Sequence, residues 1–385
     1  MCTQKAEVVI IGGGVIGTSI FYHLAKNKVD VILLERNSIA SGTSGACEGI
    51  VFLQTKKPGI HLEMAIKSAE IFSSLEEELN YKIEYISNGA MVIIPDKIQY
   101  NAMAEFVQEQ NKTGLEVKLL NAQEAWNREP ALSERIAGST FCPYDAQVNP
   151  ILLAHGFVEA AIRYRNARFF THTNVIEIAK RGQCIEEVIT DKGSIKTNFV
   201  INAAGIYAPQ IGSMVNLSIP IKPRRGQILV TEEIPNIIKG VLCTSNYIAC
   251  KYDSRINSSN DNAGLTIEPT ANGNYLVGAT REFVGFNSKV THDGIQCIAR
   301  NLVSLVPGFK NVSTIRYFAG LRPYTNDGFP ILGSIESVKG FIMAAGHEGD
   351  GVALAPITGK LISELVLKGE SSINLDEFNL ARFNK

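Results

Sequence analysis

The stretch at residues 8–35, VVIIGGGVIGTSIFYHLAKNKVDVILLE, restricts what this chain can fold into more than any other part of it. Val8, Val9, Ile10 and Ile11 read as a buried strand that runs straight into Gly12-Gly13-Gly14-Val15-Ile16-Gly17. A helical pattern follows to about Lys26, then a second apolar strand at 29–34, closed by Glu35. Gly12 permits a sharp strand-to-helix turn, Gly14 lets the backbone approach a pyrophosphate, and Gly17 lets the helix pack closely on the sheet. The free N–H groups at the helix start, with the helix dipole behind them, favour a diphosphate. Glu35 stands 18 residues past Gly17, where a carboxylate can accept from both ribose hydroxyls. A glycine-rich turn alone would say little. With the strand before it, the helix after it and the acid at this distance, it predicts a site for the adenylate half of a dinucleotide.

Charge and composition narrow the partners. A net charge of −1 argues against nucleic acid or an anionic membrane surface. Apolar residues make up 45% and charged residues 19%, ordinary for a globular chain, and 385 residues suffice for two domains or one large one with a cap. No apolar run reaches the ~18 residues of a membrane span. Residues 1–7 lead at once into the first strand, leaving no room for a signal peptide. The seven cysteines are scattered, with no CxxC or similar arrangement. That excludes a disulfide framework, a metal site and an iron–sulfur cluster of the chain's own, and points to a reducing, cytoplasmic setting.

Beyond Glu35 and Arg36, the loop SGTSGA at 41–46 offers Gly42, Thr43 and Ser44, small residues and hydroxyls that could fold back along a cofactor or simply form a polar loop. Cys47 reads as packing. Residues 61–79 have helical spacing, 83–94 suggest two short strands turning at Ser87-Asn88-Gly89, and a polar helix spans 97–112. A strand at 116–120, a helix capped by Asn121, a strand at 138–144 and a helix with Pro150 at its first position follow. Segments 168–173, 175–181, 184–190 and 194–196 read as successive strands of an antiparallel excursion. The strand at 199–202 should rejoin the parallel sheet and bring Ala203, Ala204, Gly205 and Ile206 beside the cofactor. Strands are expected at 219–222 and 227–232 around Pro223-Arg224-Arg225-Gly226, and across 241–251. A polar insertion at 254–264 reads as a mobile loop, then come a hairpin turning at 271–274, a helix at 291–306 and a strand at 313–318. Near the end, an apolar strand at 341–345 enters Gly346-His347-Glu348-Gly349-Asp350-Gly351 and a helix to about Leu367. This second strand–glycine loop–helix corner aims its N–H groups at something electronegative.

Two such corners, one at each end of the chain, are not the layout of a nicotinamide dehydrogenase. GGGVIG with Glu35, SGTSGA, NAAG at 202–205, RRGQILVT at 224–231, GLRPYTNDGFPILG at 320–333 and GHEGDGVALAP at 346–356 together resemble the flavoenzyme family of D-amino-acid oxidase, glycine oxidase and sarcosine oxidase. The resemblance spans essentially the whole chain. YIACK at 247–251 and the insertion before GNYLVGATREFVGF make it most similar to the FAD-bearing β subunits of amine dehydrogenases acting on proline, hydroxyproline, opines or glycine. It implies an α/β chain, α+β overall. An FAD-binding Rossmann-like domain would be assembled from 1–82, 145–218 and 320–385, and a largely antiparallel substrate domain, with helices on one side, from 83–144 and 219–319.

The resemblance also assigns roles. FAD would contact Gly12, Gly14, Val15, Ile16, Gly17, Glu35, Arg36, Gly42, Thr43 and Ser44, with Val175, Ala204 and Gly205 alongside. Gly346, His347, Glu348, Gly349, Asp350, Gly351 and Val352 would face the isoalloxazine, with Arg322 at the same end. Arg322 matches the arginine that grips the substrate carboxylate; the plain alternative is a salt-bridge arginine. Tyr247, Lys251, Tyr317 and Tyr324 are expected pocket residues, and His347 a ring packed under the flavin rather than a base. The reaction implied is oxidation of a secondary or N-alkyl amino acid, or glycine, to an imine by hydride transfer to flavin N5. The alternatives are FAD-linked oxidation of a 2-hydroxy acid or glycerol 3-phosphate, or a flavin-bearing subunit active only with partners that carry a second flavin or an iron–sulfur cluster, which could attach it peripherally to a membrane. Glu348 and Asp350 depart from the family's usual aromatic or small residues and leave oxygen reactivity and substrate charge open. No cysteine follows Cys297, so the covalent flavin link of monomeric sarcosine oxidases has no anchor and FAD is expected to be noncovalent. Acid precipitation of the pure protein should release the yellow chromophore; colour retained on the polypeptide would count against this.

Overall fold

The computed structural model describes residues 3–252 and 264–383, with 3 and 249–252 described by backbone alone. Its first layer is a six-stranded sheet in the order Ile331–Ser334, Phe341–Ala345, Phe199–Asn202, Val8–Ile11, Val31–Leu34, Ala167–Phe170. All neighbours are parallel except Ile331–Ser334. Val8–Ile11 and Val31–Leu34 are buried throughout, as continuous apolar runs in a two-faced sheet must be. Alternation sends Val8 and Ile10 to a core shared with the helices Val15–Lys26, Pro150–Ala161 and Gly351–Lys368. Val9 and Ile11 face the other way, onto Ile178, Val188 and Ile195. Those three belong to a four-stranded sheet of Thr3–Lys5, Gly193–Lys196, Cys184–Thr190 and Val175–Arg181.

The expected antiparallel excursion therefore loses its first strand. Ala167–Phe170 instead extends the parallel sheet, in register with Val31–Leu34, and Asn166 Nδ2 donates to Val29 O at 2.6 Å to hold it there.

The second layer is an eight-stranded sheet in the order Thr314–Tyr324, Lys222–Thr231, Tyr275–Gly278, Thr266–Pro269, Val241–Thr244, Ala90–Ile94, Gly138–Cys142, Lys118–Asn121. Every neighbouring pair is antiparallel except Val241–Thr244 with Ala90–Ile94. Helices cover both of its faces rather than one. Ile298 and Leu302 of His292–Leu305 meet Leu229, Leu242 and Val277, while Met103 of Lys97–Asn111 packs with Val92, Ile94 and Cys243.

Three other expectations change here. Lys222–Thr231 is one unbroken strand because Pro223 sits opposite Pro323 and Arg224 opposite Arg322, so the partner Thr314–Tyr324 is also longer than expected. Val241–Thr244 stops early, where its pairing with Thr266–Pro269 ends at Cys243, and a helix Ser245–Tyr252 begins. Of the two short strands expected at 83–94, only Ala90–Ile94 forms, with Ile86 making a lone bridge to Gln147. The 254–264 insertion, all but its last residue, and the Lys251 side chain lie outside the described residues. Among the described residues no helix is long and apolar enough to cross a membrane.

The helix Val15–Lys26 lies so close to the central strand that a Cβ on Gly17 would stand 1.9 Å from the Gly12 carbonyl oxygen. Gly17→Ala should therefore cost about 1–3 kcal/mol or more in stability and weaken FAD retention. A thermal melt together with the ratio of flavin to protein absorbance checks both.

Candidate active site

Ligands of open parallel sheets bind beyond the carboxyl ends of the strands. In this protein those ends open into a cavity of about 520 Å³, lined by residues from both large sheets. That size is ordinary for a cofactor or substrate site.

At one end stands the first glycine corner. Gly12 has φ +116°, and a Cβ there would meet Ala203 O at 2.5 Å, so only glycine fits between the two neighbouring strands. Glu35 ends the strand Val31–Leu34 with its carboxylate held by backbone: Gly13 N–H donates to Oε2 at 2.7 Å and Asn37 N–H to Oε1 at 2.8 Å. The Ser44 hydroxyl accepts from Val15 N–H at 3.0 Å, capping the helix start. Thr43, by contrast, lines the cavity but spends its hydroxyl hydrogen on Leu321 O at 2.6 Å. The Arg36 guanidinium lies 3.6 Å over the Tyr207 ring, which itself stacks on Phe286.

At the other end is the second corner, where Gly346 with φ +86° turns the chain out of Phe341–Ala345. His347 is buried; burial lowers its pKa to about 4, and Nε2 meets the Thr358 hydroxyl at 3.2 Å. A neutral ring tied to the helix that follows it suits packing rather than proton transfer. Glu348 and Asp350 both point into the molecule. Glu348 pairs with the fully buried Arg224, and Arg322 Nε lies 4.0 Å from Oε1 of the same carboxylate. Asp350 pairs with Lys56 Nζ at 2.9 Å and lies 3.3 Å from His61 Nε2. Lys56 also donates to Phe52 O at 2.7 Å.

Beside Glu348 of the second corner lies the Arg322 guanidinium, which donates from Nη1 to Thr280 O at 3.0 Å and comes within 2.4 Å of where a Cβ on Gly226 would be. Burial lowers its pKa, Glu348 raises it, the nearby Arg281 and Arg224 lower it again, and Glu48 raises it to a smaller extent. An anion placed here would relieve both the desolvation and the crowding of like charge. Across from it Glu48 accepts from the Thr266 hydroxyl at 2.6 Å, and behind Glu48 the buried Glu268 accepts from Gly49 N–H at 2.8 Å. Burial also raises the Cys47 thiol pKa far above its ordinary value, in keeping with a packing role.

Of the residues expected around the cofactor, Gly12, Gly14, Val15, Ile16, Glu35, Arg36, Gly42, Thr43, Ser44, Val175, Ala204, Gly205, Arg322 and Gly346 to Val352 line this one cavity. Gly17 does not; it is turned toward the Gly12 carbonyl behind the corner and acts through packing. Tyr247 lines the cavity from the helix Ser245–Tyr252, beneath the Arg281 guanidinium. Tyr324 is not in the lining: its ring meets Phe283 and the Arg224 guanidinium, because the longer strand carries it past the site. Tyr317 faces outward and is 49% exposed. Sequence reasoning missed Glu48, Lys56, Arg224 and Glu268. Arg224 stood inside a quoted motif, but Lys56 is one of two adjacent lysines whose neighbour Lys57 is exposed, and nothing local separates them.

Two glycine corners on strands flanking Phe199–Asn202, a backbone-held carboxylate at one end and a helix N-terminus at the other match what an extended dinucleotide requires. The profile described as "DAO: FAD dependent oxidoreductase" matches residues 7–365, and the chain belongs to that family of FAD-dependent oxidoreductases. It is similar to a glycine oxidase from Geobacillus kaustophilus, 28% identical over 99% of this chain and 98% of the relative. The crystal structure of that species' glycine oxidase superposes with a TM-score of 0.89, over 98% of this chain and 99% of the other. An L-proline dehydrogenase from P. horikoshii gives a TM-score of 0.90 at 25% identity, covering 100% and 99% of the two chains. The hydrogen cyanide synthase subunit HcnC of Pseudomonas aeruginosa is 28% identical over 98% of this chain and 96% of the relative.

Burial pushes the Glu268 carboxyl up to about 8, and the Glu48 charge adds to that push. The folded state therefore holds a proton that the unfolded state has released between about pH 4.5 and 8, so stability falls as pH rises through that window, by up to ~1.4 kcal/mol per unit. Glu268→Gln should flatten the slope and leave the variant more stable than the wild type at the alkaline end. Urea midpoints measured across the window would show it.

Proposed function

We propose that this protein oxidises the C–N bond of a small amino acid to an imine, with Arg322 holding the substrate carboxylate. The observation that carries the reading is the Arg322 guanidinium resting on the Gly226 floor, inside the same cavity as both glycine corners. A planar fork of donors there suits a carboxylate in geometry as well as charge. The relatives named for glycine and L-proline oxidation support an amino-acid substrate, and a secondary or N-alkyl amino acid (proline, hydroxyproline, sarcosine) or glycine is the class proposed.

Noncovalently bound FAD would supply the acceptor for a hydride from the substrate's α-carbon, and the amine must first lose its ammonium proton so that its lone pair can form the C=N bond. The six-stranded sheet with its helices would hold it: Gly12, Gly14, Glu35 and Ser44 at the adenylate end, the 346–352 loop at the ring end. The eight-stranded sheet would shape the substrate side. Free N–H groups at the start of Gly351–Lys368 present positive potential to the ring end. Ile50, Phe52 and Ile228 line the cavity with apolar surface and exclude water from the reacting groups. The Glu348–Arg224 and Asp350–Lys56 pairs neutralise the loop's own carboxylates, which leaves Arg322 available to the substrate. The likeness to a cyanide synthase subunit supports a second reading, in which turnover requires partner chains.

An anaerobic screen with proline, hydroxyproline, sarcosine, glycine, 2-hydroxyglutarate and glycerol 3-phosphate should bleach the flavin with an amino acid and not with the others. Arg322→Ala should raise KM for that amino acid through loss of an interaction worth about 2–4 kcal/mol. Unchanged KM and kcat would remove Arg322 from the carboxylate role.

A further inference from the structure

Resting on that reading, we infer that Glu48 is the second half of the substrate clamp: Arg322 takes the carboxylate and Glu48 takes the substrate's cationic amine. Glu48 would then be the residue that selects amino acids over hydroxy acids.

The geometry is built from three neighbouring strands, Thr314–Tyr324, Lys222–Thr231 and Tyr275–Gly278. Gly226 and Ile228 are two apart on Lys222–Thr231, so they share a face, and both line the cavity. A Cβ on Gly226 would collide with the Arg322 guanidinium. Ile228 is paired in register with Gly278, whose Cβ would fall 2.7 Å from Glu48 Oε1 and 2.8 Å from Ile228 Cγ1. Glycines at 226 and 278 thus clear the floor for two groups of opposite charge, side by side. The two glycines lie two residues apart along the strand direction and one strand apart across it, roughly 8 Å. An α-amino acid, whose carboxylate and amine are one carbon apart, spans that gap with one charge-assisted hydrogen bond at each end, each about 2.8 Å.

Charge bookkeeping favours the same assignment. Glu348 and Asp350 are matched to cations of the chain. Among the described residues no lysine, arginine or histidine nitrogen lies within ion-pair distance of Glu48, whose partner is the neutral Thr266 hydroxyl. A carboxylate facing an apolar-walled cavity gains most from a cation delivered by the ligand. Glu268 behind it retains its proton near neutral pH, so one negative charge, not two, meets the amine. A 2-hydroxy acid would place an uncharged hydroxyl against this carboxylate and forgo the attraction.

The test uses the FAD-loaded protein reduced with dithionite, which binds substrate without turnover. Calorimetric titration with proline, sarcosine and glycine is compared with acetate, a carboxylate that has no amine. Glu48→Gln keeps the shape and the Thr266 contact. It should weaken the amino acids roughly ten- to a hundredfold while leaving acetate within about threefold. Glu48→Asp, which keeps the charge, should preserve the preference for amino acids over acetate, and Arg322→Ala should weaken amino acids and acetate alike. If Glu48→Gln weakens both classes equally, or neither, the pairing is overturned while the amino-acid reading stands. If no amino acid of the panel binds the wild type, that reading falls and takes the pairing with it.

Discussion

Two buried ion pairs hold the site together. Arg224 belongs to the eight-stranded sheet and Glu348 to the loop leaving the six-stranded one, while Lys56 reaches Asp350 from the segment before the helix Ile60–Leu79. Each charge costs several kcal/mol to desolvate, and removing one partner would leave the other stranded in an apolar setting. The pairs therefore act less as a source of net stability than as a condition on geometry. The two sheets must meet in the one arrangement that brings each cation to its carboxylate. That arrangement encloses the cavity between the glycine corners.

Within that frame, the strand pair Lys222–Thr231 and Thr314–Tyr324 sets the chemistry. Period-two alternation sends the adjacent Arg224 and Arg225 to opposite sides: Arg224 to Glu348 in the site, Arg225 to a fork-like pair with Glu282 outside it. The register that places Arg224 opposite Arg322 concentrates positive charge at one spot. Glu348 balances part of it, and the remainder suits an anionic substrate group. Glycine at 226 and 320 on the same ladder leaves room for the Arg322 guanidinium and for the backbone of the 42–46 loop, whose Ala46 oxygen would lie 2.1 Å from a Cβ on Gly320. Close packing and charge placement are thus solved by the same residues.

Much of this was legible in the sequence. The first glycine corner, Glu35 and the second corner at 346–351 fall where local pattern puts them, because each depends on a short run whose physical requirement is local: φ above zero, a free helix N-terminus, a carboxylate at a strand end; Arg322, read from resemblance, lines the same cavity. The capped helix after Asn121 and the hairpin at 265–278 were readable for the same reason, since a side chain three residues away or a turn of four suffices to specify them. The expectations that changed share a different character. Ala167–Phe170 joined a sheet formed by residues more than a hundred positions earlier, and the helix Ser245–Tyr252 began where a partner strand ran out.

The sequence by itself determined that this chain turns sharply at Gly12 and Gly346, carries a helix start after each turn, and places Glu35 at the end of the second strand. Those are properties of a few adjacent atoms. Only the tertiary structure decided which charges are neutralised by a buried partner. Lys56 and Lys57 are neighbours of the same type, yet one is buried against Asp350 and the other is exposed. Glu48, Glu268, Glu348 and Asp350 are all carboxylates, yet Glu348 and Asp350 are paired with buried cations, Glu48 accepts from a hydroxyl, and burial raises the proton affinity of Glu268. Charge and proton affinity in an apolar site depend on what lies within a few ångströms in any direction, and the chain order does not contain that neighbourhood.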